Sequence, residues 1–247
     1  MTIHVWTIVK DGAYFLPYFL RHYATFADRI FVMDDGSTDG TRYLASQHPK
    51  VTLLNYPWND GMDDQKHADV FNLFTRWLSA DADWVMTPDI DEFLVADDGD
   101  MRGILERQWA ARVKAIRAHG VLAGAEEPPQ TDGNLWDACP YRKPYHEWNK
   151  TIIFDPKGSA TLTAGQHRLE GEDQAKAAVG VGVTLYHCNY FGGDWVSKHI
   201  LLNFLAHPLR GFSKAHLAYR LRRGTWEIER RMLVCREGWR DIRRGGA

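Results

Sequence analysis

Asp89 and Asp91 stand either side of Ile90, directly after the apolar run Trp84-Val-Met-Thr87. In an extended segment, residues i and i+2 project to one side, so both carboxylates can converge on one ion while Ile90 turns into the core. Hard oxygen ligands suit Mg2+ or Mn2+, an ion that also takes up the oxygens of a nucleoside diphosphate and neutralises it as a leaving group. The competing arrangement is a helix N-cap with an acid in the first turn. Glu92-Phe93 follow the pair.

A second acidic cluster lies in Val32-Met-Asp-Asp-Gly-Ser-Thr-Asp-Gly-Thr41. Gly36 lets the backbone turn sharply after a strand, and Asp34 or Asp35 at that strand end can accept from a nucleobase N–H or from ribose hydroxyls. Val9, Lys10 and Asp11 close a third such run.

The elements that must position these groups are short and alternate. Residues 3–9, 30–33, 51–54 and 84–87 are apolar, strand-like runs. Between them, residues 14–26 repeat large apolar side chains at helical spacing, residues 38–47 form a helix that Ser37 is placed to cap, and residues 65–78 form a third. Strand–helix alternation at this spacing predicts an α/β fold with a doubly wound, mostly parallel, Rossmann-like sheet flanked by helices. Ligands in such sheets bind beyond the carboxyl ends of the strands, where all three acidic clusters lie. Further on, residues 101–119 read as an amphipathic helix and residues 126–144 as a long loop suited to a lid. Strand-like runs return at 151–154 and 181–186, and residues 195–207 and 215–239 read as helical. Domain organisation is expected as 1–207, split into a nucleotide-binding half at 1–95 and an acceptor half at 96–207, with a basic helical C-terminal extension at 208–247.

The 247 residues, 45% hydrophobic and 25% charged, fit a globular chain with a sizeable core. Three well-separated cysteines, Cys139, Cys188 and Cys235, suggest reduced thiols without a C-x-x-C signature. No apolar run is long enough to span a bilayer, and His4, Lys10 and Asp11 interrupt any signal-peptide core, so a cytoplasmic location is expected. Net charge is −2 but uneven: residues 1–100 carry 17 Asp and Glu against 7 Lys and Arg, whereas residues 210–247 carry 11 Lys and Arg against 4 acids. An acidic front half fits cation recruitment. The basic tail, which interleaves apolar residues with arginines, fits either peripheral contact with an anionic membrane or a solvated helix packed on the domain. Nucleic acid is a weaker candidate partner.

Three stretches together resemble family 2 glycosyltransferases of the GT-A fold, in the branch known as Glyco_tranf_2_4. They are Ile8-Val-Lys-Asp-Gly-Ala-Tyr-Phe-Leu-Pro-Tyr-Phe-Leu-Arg-His22, Arg29-Ile-Phe-Val-Met-Asp-Asp-Gly-Ser-Thr-Asp-Gly-Thr41 and Asp83-Trp-Val-Met-Thr-Pro-Asp-Ile-Asp-Glu-Phe-Leu94. The resemblance is specific over about residues 1–95 and looser afterwards. It departs from the branch at Asp11-Gly12, where Asn-Glu is usual, and at Asp34-Asp35, where Asp-Asn is frequent.

The resemblance implies transfer of a sugar from a nucleoside diphosphate donor, a UDP-sugar by default, to a hydroxyl acceptor such as a surface polysaccharide or lipid-linked glycan, with inversion. It implies that Asp35, with or without Asp34, meets the base or ribose and that Asp91, with Asp89, serves the metal. Gly165-Gln-His167 and Leu185-Tyr-His187 resemble the branch's two histidine segments. His187 is thereby implied as a third metal ligand or diphosphate contact, with Lys198 as a phosphate counter-charge. Gln65 and Lys66 lie where relatives reach the donor. For the base that deprotonates the acceptor, Asp173 of Glu172-Asp173 is the first candidate and Glu147 the rival. Aromatic residues dense in loops, Trp58, Trp136, Tyr141, Tyr145 and Trp148, suit either an acceptor groove or the core. The alternatives are a nucleotidyltransferase that makes a sugar nucleotide, which would want a Gly-rich basic loop after the first strand, and a non-catalytic glycan- or membrane-binding relic.

Overall fold

β1 (Ile3–Val9) is buried along almost its whole length, as a strand covered on both faces must be. It pairs in parallel with β2 (Arg29–Asp34) on one side and β4 (Trp84–Met86) on the other, and β2 pairs in parallel with β3 (Val51–Asn55). Trp6 stacks on Phe31 across β1 and β2, with ring centroids 3.9 Å apart. Met33, Ala68 and Phe71 close over this pair in one apolar cluster. Helices α1 (Leu16–Tyr23), α2 (Thr41–Ser46) and α3 (Asp64–Leu78) link the four strands.

The computed structural model describes residues 1–57, 64–166, 168–171 and 177–191. Among these, nine strands form one sheet in the order β3-β2-β1-β4-β8-β6-β11-β5, with β7 alongside β6. The added strands are β5 (Glu92–Ala96), β6 (Ala115–Ala125), β7 (Tyr141–Pro144), β8 (Ile153–Phe154) and β11 (Ala177–Phe191). β9 (Thr161–Leu162) and β10 (Leu169–Glu170) make a separate antiparallel pair. The α/β class, the parallel core and the flanking helices match the sequence-based expectation.

Among the described residues the chain divides into two compact units: residues 1–120 with 145–186, and residues 121–144 with 187–191. In the first, β8 runs antiparallel to β4, with Val85 opposite Phe154 and Met86 opposite Ile153. β5 ends the sheet, and side chains of α1 satisfy its outer edge. The Tyr23 hydroxyl donates to the Glu92 carbonyl and accepts from the Leu94 N–H, both at 3.0 Å, while His22 Nε2 donates to the Leu94 carbonyl at 2.8 Å. In the second unit, β7 pairs with the distal half of β6, Val121 opposite Pro144 through Gly124 opposite Tyr141. There the Arg142 guanidinium donates to the Trp136 carbonyl at 2.6 Å.

Several expectations need correction. The helix read over 101–119 is α4 (Met101–Ala110) followed by β6. Asp100 caps α4 through the Gly103 N–H, but Arg112 adopts a left-handed φ of 61° and turns the chain out of the helix. Burial in the sheet then overrides the helical propensity of the alanines that follow. Ser37 does not cap α2, whose preceding residue is Gly40; instead Asp39 Oδ1 accepts from the Thr41 N–H at 2.8 Å. The loop read over 126–144 contains α5 (Leu135–Ala138) and β7, and Trp136 is buried. Residues 195–207, 215–239 and the 208–247 extension lie outside the described residues. No helix of the described residues is long and apolar enough to cross a membrane.

Candidate active site

The strand order reverses between β1 and β4, since β2 and β3 follow on one side and β4 lies on the other. A doubly wound sheet opens a crevice at the carboxyl ends of such a pair. The loops after β1, β2 and β4 meet at this edge of the first unit. Asp35 N–H donates to the Val9 carbonyl at 2.8 Å, continuing the β1–β2 ladder into the loops.

Asp11 stitches the first two loops together. Its Oδ1 accepts from Thr38 N–H at 2.6 Å and Asp39 N–H at 3.3 Å, while its own N–H donates to Ser37 Oγ at 2.9 Å. Asp39 returns the bond by accepting from Ala13 N–H at 3.0 Å. Asp11 achieves this with φ of 48°, a conformation that aspartate tolerates better than most residues. Gly12 is packed so tightly that a Cβ would run into Val9 and lie 3.5 Å from Ile90 Cγ1. The first loop therefore rests directly on the Asp89–Asp91 segment.

Asp34 and Asp35 have different surroundings. The Asp34 side chain is wholly buried, paired with Arg42 Nη1 at 2.7 Å, and accepts from Ser37 N–H at 3.2 Å. Arg42 also donates to Asn55 Oδ1 at 2.9 Å, tying α2 to β3. Asp34 thus builds the turn at Gly36, whose φ is 69°. Asp35 faces Lys10, whose ammonium donates to the Asp35 carbonyl at 3.0 Å and lies 3.6 Å from Oδ2.

Asp89, Ile90 and Asp91 do not continue the strand. Glu92 N–H donates to the Asp89 carbonyl at 3.0 Å, closing a tight turn, and Glu92 then opens β5. Asp89 and Asp91 therefore flank Ile90 in a turn instead of alternating along a strand, and no helix begins there for a cap to serve. Glu92 Oε2 accepts from Asp89 N–H at 3.1 Å.

A residue that the sequence reading missed completes this turn. Carrying the β4–β8 register three residues past Met86 and Ile153 sets Lys150 opposite Asp89. The buried Lys150 ammonium lies 2.9 Å from Asp89 Oδ2 and 2.6 Å from Glu92 Oε1, with Nζ 5.4 Å from the centre of the Trp148 ring. Burial alone would lower the Lys150 pKa, but Asp89 and Glu92 outweigh it and hold the ammonium above the ordinary lysine range. The only signal in the sequence was a lone lysine at the mouth of an apolar strand.

Gln65 and Lys66 occupy the first turn of α3, where Gln65 donates to Asp69 Oδ1 at 2.9 Å. Glu147 lies in a single 3-10 turn, His146–Trp148. His187 belongs to the second unit, where it is buried with its Nε2 2.9 Å from Asn189 Nδ2. His167, Asp173 and Lys198 lie outside the described residues. Among the described residues, no three His, Cys, Asp or Glu side chains gather as a metal cage. Two carboxylates completed by substrate phosphates are nonetheless an ordinary donor set for Mg2+, and Asp89 is 45% exposed.

No protein-family model matches the chain. Among curated proteins it is similar to a TPR repeat-containing protein of Synechococcus elongatus, 26% identical over 144 residues that span 57% of this chain and 33% of that protein. It is also similar to an uncharacterized protein of Mycobacterium tuberculosis, 36% identical over 92 residues, 34% of this chain and 21% of that one. The chain thus spans a third or less of the length of these relatives. Among solved structures it is similar to glucosyl-3-phosphoglycerate synthase from Mycobacterium tuberculosis, crystallised with Mn2+, UDP and glucosyl-3-phosphoglycerate. That likeness has a TM-score of 0.32 at 14% identity over 50% of this chain and 43% of that one. A 4-diphosphocytidyl-2C-methyl-D-erythritol synthase gives a TM-score of 0.36 at 14% identity, over 63% of this chain and 76% of that one.

Proposed function

We propose that this chain is a glycosyltransferase that moves a sugar from a nucleoside diphosphate sugar, by default a UDP-sugar, to a hydroxyl acceptor. The observation that carries the reading is the contact of the β1 loop with the Asp89–Asp91 turn, at the strand-order reversal and beside the Lys10–Asp35 pair.

In this reading Asp35 accepts from the base or ribose, since the oxygens of Asp34 are already engaged by Arg42 and Ser37. Lys10 sets a positive charge beside the donor. Gly12, buried with no room for a Cβ beside Val9, lets the first loop close against the turn. Asp89 and Asp91 would hold Mg2+ or Mn2+, which when bound neutralises the leaving diphosphate. The roles of His187 and Lys198 rest on the motif resemblance. So does the choice of Asp173 or Glu147 as the carboxylate that takes the acceptor proton.

The test is thermal unfolding against UDP, GDP and dTDP, each with and without Mn2+. A ligand at a hundred times its Kd stabilises by about 2.7 kcal/mol. Metal-dependent stabilisation by one base is the expected result, and none with any of them would overturn the proposal. Asp89→Asn is expected to cut Mn2+-dependent donor turnover by about a hundredfold; undiminished turnover would count equally against it.

A further inference from the structure

Lys150 is out of place for a structural residue. A fully buried lysine carries a large desolvation penalty, and an apolar residue of similar size at such a site is often neutral or stabilising. Its ammonium bridges Asp89 Oδ2 and Glu92 Oε1, while Glu92 Oε2 holds the Asp89 N–H. The backbone, carboxylate and following turn of Asp89 are thus fastened at once, from below. The Asp89 side chain is 45% exposed, whereas those of Lys150 and Glu92 are 2% and 0% exposed.

The charge of this arrangement is specific. Among the described residues, Asp89, Asp91, Glu92 and Lys150 contribute three carboxylates and one ammonium, formally −2. The positive member is dry and lies 2.9 Å from one of the two carboxylates offered to an incoming cation. A buried charge is screened far less than an exposed one. For a divalent cation approaching Asp89, the ammonium therefore subtracts from the attraction of the carboxylates, and solvent does little to relieve that opposing share. A diphosphate brings the further negative charge that offsets it.

Resting on the reading of the turn as the donor–metal site, we propose that Lys150 is a positioning residue. It fixes the Asp89 carboxylate and keeps the turn a poor cation site until a nucleoside diphosphate arrives. Metal then loads with the donor rather than before it, and coupling between the two ligands is reciprocal.

The experiment measures Mn2+ binding to the full chain by electron paramagnetic resonance of the free ion. It is done with and without the nucleoside diphosphate selected by the thermal series. The wild type is expected to bind Mn2+ at least tenfold more tightly with the nucleotide present. Lys150→Met alone risks unfolding, because it strands Glu92, so the informative variant is Lys150→Met/Glu92→Gln. It keeps the formal charge of −2, carried by Asp89 and Asp91 alone, and reports the position of the ammonium rather than the sum. Groups that support metal ligands typically change metal affinity by about 10- to 100-fold. Here the double variant is expected to gain about tenfold or more in nucleotide-free Mn2+ affinity and to lose most of the coupling. Lys150→Arg, which retains the charge, is expected to retain the coupling.

Equal wild-type affinity with and without nucleotide overturns the proposal, as does a double variant whose nucleotide-free affinity is unchanged or weaker. The second outcome leaves the functional reading standing, because metal-dependent nucleotide binding survives it; the first, by reciprocity, also removes the metal dependence that reading expects and overturns both. A wild type that binds neither Mn2+ nor nucleotide overturns both.

Discussion

Acidification is expected to weaken this fold through His22. Burial is the dominant cause that pushes the His22 pKa down, from an ordinary 6.5 to about 4, and the hydrogen bond to the Leu94 carbonyl opposes it only in part. The native state therefore holds the imidazole neutral where the unfolded chain would protonate it. Between pH 6.5 and 4 the unfolded state binds the extra proton, so the contribution is intact above 6.5 and is lost as pH falls through that window. At about 1.4 kcal/mol per pKa unit, the full difference amounts to about 3 kcal/mol. About 1.3 kcal/mol of it goes between pH 7.5 and 5.5, and about 2.5 kcal/mol by pH 4.5. The assay is urea unfolding at those three pH values for the wild type and His22→Gln, whose amide can still donate to Leu94. The variant loses packing at every pH, so only the pH-dependent part of the difference counts. His4 and His48 are also shifted down, His4 by burial first, but they titrate in both proteins and cancel. A wild-type curve parallel to that of His22→Gln would refute the reasoning.

Other outcomes follow from the same contacts. Lys150→Met is expected to cost about 3–5 kcal/mol in urea unfolding, because it takes the compensating ammonium away from the buried Glu92 carboxylate, and Lys150→Met/Glu92→Gln should recover most of that loss. Gly12→Ala forces a Cβ against Val9 and should cost about 1–3 kcal/mol while raising the donor KM, read by calorimetry and steady-state kinetics. Asp34→Asn should destabilise by about 1–3 kcal/mol through its buried bond to Arg42, whereas Asp35→Asn should weaken nucleotide binding with stability changed by under about 1 kcal/mol.

Much of the first half was legible because local and tertiary demands agree there. The run at residues 3–9 has one reading as a strand, and Gly36 beside Asp34 and Asp35 has one reading as a sharp turn. Residues 101–119 failed for the opposite reason. Their alanines are good helix formers, and only the sheet that receives Ala115 and Ile116 makes them strand. Asp89 and Asp91 are legible as a pair but their geometry is not, since Glu92 bends back on the Asp89 carbonyl and ends the alternation. Lys150 was beyond reach for a further reason. Its meaning depends on an antiparallel register between segments more than sixty residues apart, which no local pattern encodes. The run at 151–154 was visible as a strand, but its partner was not.

Tyr23 and His22 also bear on how this protein meets other copies of itself. A terminal strand ordinarily offers a row of unpaired amides and carbonyls on which a second chain can add a strand. At β5 the hydroxyl of Tyr23 and the imidazole of His22 already occupy the Glu92 and Leu94 positions of that row. Among the described residues, the margin is closed to edge-to-edge pairing by two side chains rather than by a neighbouring strand. Tyr23→Phe would remove one donor and one acceptor while keeping the ring, and would reopen that margin to self-association at high protein concentration.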